Sequence, residues 1–126
     1  MNDEQYRDHC LKLLSSFAEL LEAEARHCSE TDPLKELAEA FSACATGPDL
    51  YDTAPGLIAR LFASCPHLAP AFPRELLWFL GGDCLHYMPD DELLVFQQLD
   101  EERAAAAAAG EVFDYAEARA NSLKLQ

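Results

Sequence analysis

Apolar residues recur along this chain at spacings of three and four, the period of an amphipathic helix, and no two-residue alternation of useful length interrupts them. The clearest stretch runs from Asp3 to about Cys28. Tyr6, Cys10, Leu13, Phe17, Leu20 and Ala25 carry the helical repeat and Leu14 and Leu21 widen it, while Lys12, Glu19, Glu22 and Arg26 fall mostly outside. Ser29 to Pro33 stops and restarts the chain: Asp32 is placed to cap a second helix, and Pro33 to occupy its first turn, where a missing N–H is harmless. Leu34, Leu37, Ala38, Phe41 and Ala45 give that helix its apolar face, and Gly47-Pro48 ends it. A third helix is predicted from Thr53 or Ala54 to Ser64, with Pro55 in its first turn and Leu57, Ile58, Leu61 and Phe62 inward.

Between Cys65 and Pro73 three prolines rule out regular helix, so an apolar loop against the core is expected. The densest apolar run follows, from Pro73 to Pro89, with the only tryptophan and the only Gly-Gly pair. Either a helix ends there at Gly81, or it runs on to about Tyr87; Leu77, Leu80, Cys84 and Met88 keep their period through the glycines, which favours a continuous, central helix over 73–87. Asp90, Asp91 and Glu92 suit the N-terminus of the next helix, where the dipole favours carboxylates. In it Leu93, Phe96 and Leu99, with Leu94 and Val95 beside them, are expected inward, and Gln97, Gln98, Asp100, Glu101, Glu102 and Arg103 outward. The Ala104–Ala109 run extends it past the core until Gly110, and Asp114 opens a short last helix with a sequence like a capping box. The expectation is an all-α fold, an irregular or orthogonal bundle of five to six helices in a single helical domain spanning 1–126.

Charge narrows the partners. With 23 acidic against 9 basic residues the formal net charge is −14, which repels nucleic-acid phosphate and anionic lipid. A mimic of nucleic acid would need carboxylates spaced along one face, whereas these lie on the polar faces of ordinary helices. No apolar run approaches the ~18–20 residues of a membrane span, and the acidic start carries no secretory pattern. Five cysteines, an odd number in no framework spacing, suit free thiols in the cytoplasm.

The chemical candidates cluster at Asp83, Cys84 and His86. Each of the four histidines lies within two positions of a cysteine, which invites a zinc reading. Neighbours on a helix point about 100° apart, however, and no C-x₂₋₄-C or H-x₃₋₅-H pair occurs, so no metal or other cofactor is expected. Asp83 and His86 stand three apart and can meet on a helix, but Cys84 points to another face, so no ready Cys-His dyad exists. The Gly81-Gly82 pair lacks a phosphate-loop pattern, and no EF-hand spacing follows Asp90. Trp78, Phe79, Tyr87 and Phe96 are expected to gather as an aromatic cluster, with an exposed Trp78, Tyr87 or Phe72 serving as anchor for a partner.

Arg74-Glu75-Leu76-Leu77-Trp78-Phe79-Leu80-Gly81-Gly82-Asp83-Cys84-Leu85-His86-Tyr87-Met88-Pro89-Asp90-Asp91-Glu92, followed by Phe96-Gln97-Gln98-Leu99-Asp100-Glu101, resembles a group of short, uncharacterised bacterial proteins of the pseudomonad type. The resemblance covers roughly residues 74–103 and none of the N-terminal half. It implies a small cytoplasmic bacterial protein and brings no activity or catalytic residue. The function expected is a non-enzymatic interaction or regulatory module, a homodimer that binds a protein partner through an aromatic and acidic surface, with no nucleic acid or membrane. Trp78, Asp83, Cys84, His86 and Tyr87 are its candidate partner or ligand residues. The alternative is a small enzyme or a metal- or ligand-binding protein using the Asp83, Cys84 and His86 region.

Overall fold

Helix α1 (Asp3–Ala25) starts at a reciprocal cap: the Asn2 side chain accepts from the Gln5 N–H at 2.8 Å, and the Gln5 side chain accepts from the Asn2 N–H at 2.9 Å. Its buried face is Tyr6, Cys10, Leu14, Phe17, Ala18, Leu21 and Ala25. The stripe is therefore centred on Leu14 and Leu21, and Leu20, expected inward, is exposed. Helix α2 (Pro33–Thr46) is capped as its sequence predicts, with Asp32 accepting from the Leu34 N–H at 2.9 Å. It returns antiparallel along α1, since Ser42 bonds to Glu22 while Lys35 and Ala38 lie beside Arg26 and Ala25.

The computed structural model describes residues 1–124, with side chains through Ser122. Among these residues there are six α-helices, two 3₁₀ segments and no strand, so the fold is all-α. Helix α3 (Leu50–Ser64) begins a turn before the expected start, because the Asp49 carbonyl accepts the N–H groups of Asp52 and Thr53. Pro55 consequently lies inside the helix and removes one later rung rather than a free donor.

The proline-rich stretch is a 3₁₀ segment (Pro66–Ala71) rather than an irregular loop. Its bonds, Leu68 N–H to Cys65 and Phe72 N–H to Ala69, ask nothing of the proline nitrogens. It lies against the core, as its composition predicts, through Leu68 and Phe72. Phe72 meets Phe17 at 5.0 Å and Phe62 at 5.8 Å, both edge-to-face.

The continuous 73–87 helix is not what forms. Helix α4 (Arg74–Leu80) stops after two turns, and a 3₁₀ segment (Gly82–Tyr87) follows. Gly81, at φ +66° and ψ −155°, lies in a region essentially closed to other residues, and Gly82 also has positive φ. The glycines thus redirect the chain instead of admitting a neighbouring backbone. Cys84 and Met88 still return to the core after the turn, which is why the apolar period runs unbroken in the sequence. Short as it is, α4 is central, touching α1, α3 and α5 (Asp90–Ala108). Helix α5 ends at Gly110, where Glu111 bonds back to Ala106 and Gly110 to Ala107, a six-to-one closure around a left-handed glycine. Asp114 then caps α6 (Tyr115–Lys124) through the Glu117 N–H at 3.0 Å, and α6 packs on α5.

Candidate functional site

The five residues singled out in the sequence do not converge. Asp83 and His86 do meet, at 3.9 Å, but both stand in solvent. Cys84 is buried beneath them, its thiol raised from the ordinary range by burial and then by the Asp83 charge. Its neighbours therefore oppose a thiolate there. Trp78 is half-buried and donates its indole N–H to Asp100 at 2.9 Å while stacking on Phe96, so it braces α4 against α5. The expected aromatic cluster is split three ways: Trp78 on Phe96, Phe79 between Tyr6 and Tyr51, and Tyr87 edge-on to Phe62 at 4.8 Å. The turn at Gly81 is the cause, because it swings Tyr87 off the face that carries Trp78.

Of the five, Tyr87 comes nearest to an anchor, 39% exposed on a shallow groove with Phe62, Pro66, Ala69, Pro70 and Arg74. The Arg74 guanidinium is already committed there, to Glu92 at 2.9 Å and to the Tyr87 carbonyl at 2.8 Å. Of the four histidines only His9 is sheltered, and among the described residues no three His, Cys, Asp or Glu side chains come together as metal ligands would. All five cysteines are free, four of them buried and Cys28 half-buried. Brief alkylation of the native protein followed by peptide mass spectrometry is expected to modify Cys28 and spare Cys84. Rapid labelling of Cys84 would restore the nucleophile reading.

The largest departure from the pattern reading is a polar junction beneath α6. Arg103, expected on the solvent face, is buried. Its guanidinium meets Asp3 at 3.0 Å and Asp100 at 3.7 Å and lies 4.7 Å from the centre of the Tyr6 ring. Beside it Glu75 is buried and ion-paired with Arg119 of α6 at 2.6 Å. Tyr115 closes the group, 5.4 Å from the Tyr6 ring and 5.3 Å from His9. Every fully covered side-chain polar atom without a hydrogen bond, among the described residues, belongs to this junction: those of Tyr6, His9, Glu75, Arg103, Tyr115 and Arg119. Glu75 meets Arg119 as an ion pair, with Glu75 Oε1 and Arg119 Nε fully covered.

What the junction can do chemically is limited. Burial pushes the Tyr115 hydroxyl up to about 12, with Glu75 adding to the rise, and the Cys10 thiol likewise to about 12, with Glu75 and Asp100 adding. Burial, and then Tyr115 and Cys10, drive Tyr6 above its ordinary range as well. At neutral pH all three keep their protons and none is a nucleophile. The sign for stability follows. These groups bind protons more tightly folded than unfolded, so stability is intact below the ordinary thiol value of 9.0 and falls as pH rises from there through about 12. Urea midpoints measured between pH 8 and 11 are expected to decline. The decline should shrink in Tyr115→Phe, which keeps the ring and removes the titrating group.

The second place where the pattern misleads is Leu94. It points outward, 65% exposed, into a groove of about 520 Å³ between α5 and α6. Val95 and Ala118 form the rest of its apolar floor. Gln98, Asn121 and Ser122 line it, and Asp91 and Glu102 stand toward its two ends along α5.

The PA2817-like family profile matches residues 2–126. The chain belongs to the PA2817-like family. Its name is that of a Pseudomonas gene, in keeping with the pseudomonad resemblance seen over residues 74–103. The profile also covers the N-terminal half, where the sequence alone carried no resemblance. No curated protein and no solved structure matches the chain. In this PA2817-like chain, phase was the overlooked signal. Phe96, Leu99 and Arg103 follow steps of three and four, so Arg103 shares the inward face with two core residues. The same count puts Leu94 off that face.

Proposed function

We propose that this chain, acting as one helical unit over residues 1–126, is a non-enzymatic interaction module that holds a partner protein along the outer face of α5 and α6. The observation that carries the reading is Leu94. A leucine 65% exposed on the wall of a groove, with carboxylates at either end, is a large apolar group left in water where a partner can cover it. The inert chemistry elsewhere supports the same reading. The junction's thiol and phenols are held protonated, and Cys84 faces away from the exposed Asp83–His86 pair. Free thiols suit a reducing setting, and no helix among the described residues is long and apolar enough to cross a membrane. The homodimer expected from the sequence belongs to the same reading.

The test is a photo-crosslinking residue placed at position 94 in cells, with the same residue at position 19 on the exposed side of α1 as control. A protein captured from 94 and not from 19 is expected; once purified it should bind the wild-type chain and lose binding to Leu94→Asp. No adduct at 94, together with a turnover lost in His86→Ala while the fold persists, would replace the module with the enzyme reading.

A further inference from the structure

Two thiols arrive at one end of the helical bundle. Helix α2 runs antiparallel to α1 and also to α3, since Arg60 near the end of α3 reaches Glu36 in the first turn of α2 at 3.3 Å. Helices α1 and α3 are therefore parallel, and both finish beside the start of α2. Cys28 closes the turn after α1, its N–H bonded to the Ala25 carbonyl at 3.0 Å. Cys65 ends α3, its N–H bonded to the Leu61 carbonyl at 2.8 Å. Cys28 lies near enough to Cys65 to feel its charge, and it packs against the core in which Cys65 is buried. The other thiols are placed elsewhere: Cys10 about four helical turns before the end of α1, Cys44 at the far end of α2, and Cys84 after α4. We infer that Cys28 and Cys65 are a redox pair, in which a low-molecular-weight disulfide reacts at Cys28 and Cys65 then displaces it, leaving a disulfide across the ends of α1 and α3. Exposure sets the order, because Cys28 is half-buried and Cys65 is 6% exposed. Cys28, its proton lost to water, attacks one sulfur of the reagent, whose S–S bond breaks and releases a thiolate that is protonated to a thiol. Cys65, deprotonated in turn, attacks the Cys28 sulfur and expels the second thiolate, protonated likewise. Two protein thiols are oxidised and one small disulfide is reduced to two thiols, with each S–S bond broken matched by one formed. Burial and then the Asp32 carboxylate raise the Cys28 thiol above its ordinary range, so little thiolate is present at neutral pH and the first exchange is slow.

The probe is oxidised glutathione, incubated with the native full chain at mildly alkaline pH, quenched with acid and read by intact and peptide mass spectrometry. The wild type is expected to lose the mass of two hydrogens, with the Cys28 and Cys65 peptides joined. Cys65→Ala is expected to stop one step earlier and hold a single glutathione on Cys28, while Cys28→Ala takes up neither bond nor adduct. Circular dichroism confirms that the variants remain helical, and the wild-type peptide map decides the pairing even where Cys65→Ala does not fold. Oxidised wild type should unfold at a higher urea concentration than the reduced protein, since the bond closes a loop around α2 and α3 and restricts the unfolded chain. A glutathione adduct that persists on Cys28 of the wild type overturns the pairing, as does a bond to any other cysteine or a wild type left unmodified. A Cys28–Cys65 bond that forms only in urea overturns it too, because the folded chain then does not bring the sulfurs together. So does a lower urea midpoint on oxidation, since the helix ends would then have to shift in order to pair.

Discussion

Replacing Phe72 with alanine is expected to destabilise the protein by about 3–5 kcal/mol, the usual cost of deleting a fully buried aromatic ring. The ring is almost wholly buried and touches Phe17 of α1 and Phe62 of α3 edge-on. Those contacts bolt the end of the proline-rich 3₁₀ segment onto α1 and α3. Within the segment itself only Leu68 is buried, and its prolines lack N–H groups. Urea unfolding followed by circular dichroism measures the loss. Phe72→Leu, which keeps most of the apolar volume, should retain well over half of the difference. Should Phe72→Ala cost under about 1 kcal/mol, the segment would not be anchored through this ring.

The effect also reaches the surface. Pro66, Ala69 and Pro70 line the Tyr87 groove, so a loosened connector would disturb that surface while leaving α5 and α6 intact. Partner binding at Leu94 should therefore survive in the folded fraction of Phe72→Ala. This separates loss of fold from loss of site.

Helix boundaries were legible wherever a cap or a stop has a local cause. Asp32 with Pro33 opens α2 and Gly110 closes α5, each through a bond within a few residues. The all-α class was equally legible, because periodicity is a property of each segment alone. The turn at Gly81 and Gly82 was not. Through-glycine periodicity is shared by a continuous helix and by a helix that breaks and returns the same side chains to the core, and only the backbone angles at Gly81 distinguish them. The polar junction was illegible for a different reason. Its members come from α1, α4, α5 and α6, and charged residues are ordinarily placed outside on the strength of their type. Arginine at an inward phase, as at Arg103, is the one trace it leaves in the sequence. Sorting by phase before type would have found both that residue and the outward Leu94.

Arg119→Met is expected to cost about 3 kcal/mol, at the low end of the ~3–5 kcal/mol typical of stranding a buried charge. The asymmetry of the pair sets the direction. The Glu75 side chain is 8% exposed and Arg119 34%, so removing the arginine leaves a covered carboxylate, whereas removing the carboxylate frees an arginine that can swing into water. Glu75→Met should thus cost clearly less than Arg119→Met, and the double variant should recover most of the loss, because neither thioether side chain carries a charge that is stranded by burial. The loss sits at the low end because α6 has an escape. It is joined through Gly110 and an exposed stretch around Val112, and by undocking it lets water reach Glu75. Hydrogen exchange is expected to quicken in α6 of Arg119→Met while α1 to α3 stay protected. Since α6 supplies Ala118, Asn121 and Ser122 to the groove, the same variant should weaken capture at position 94, and the double variant should restore it. Recovered stability without recovered capture would mean that α6 redocks in a different position. Equal costs for the two single variants would mean that Glu75 is hydrated in the folded protein.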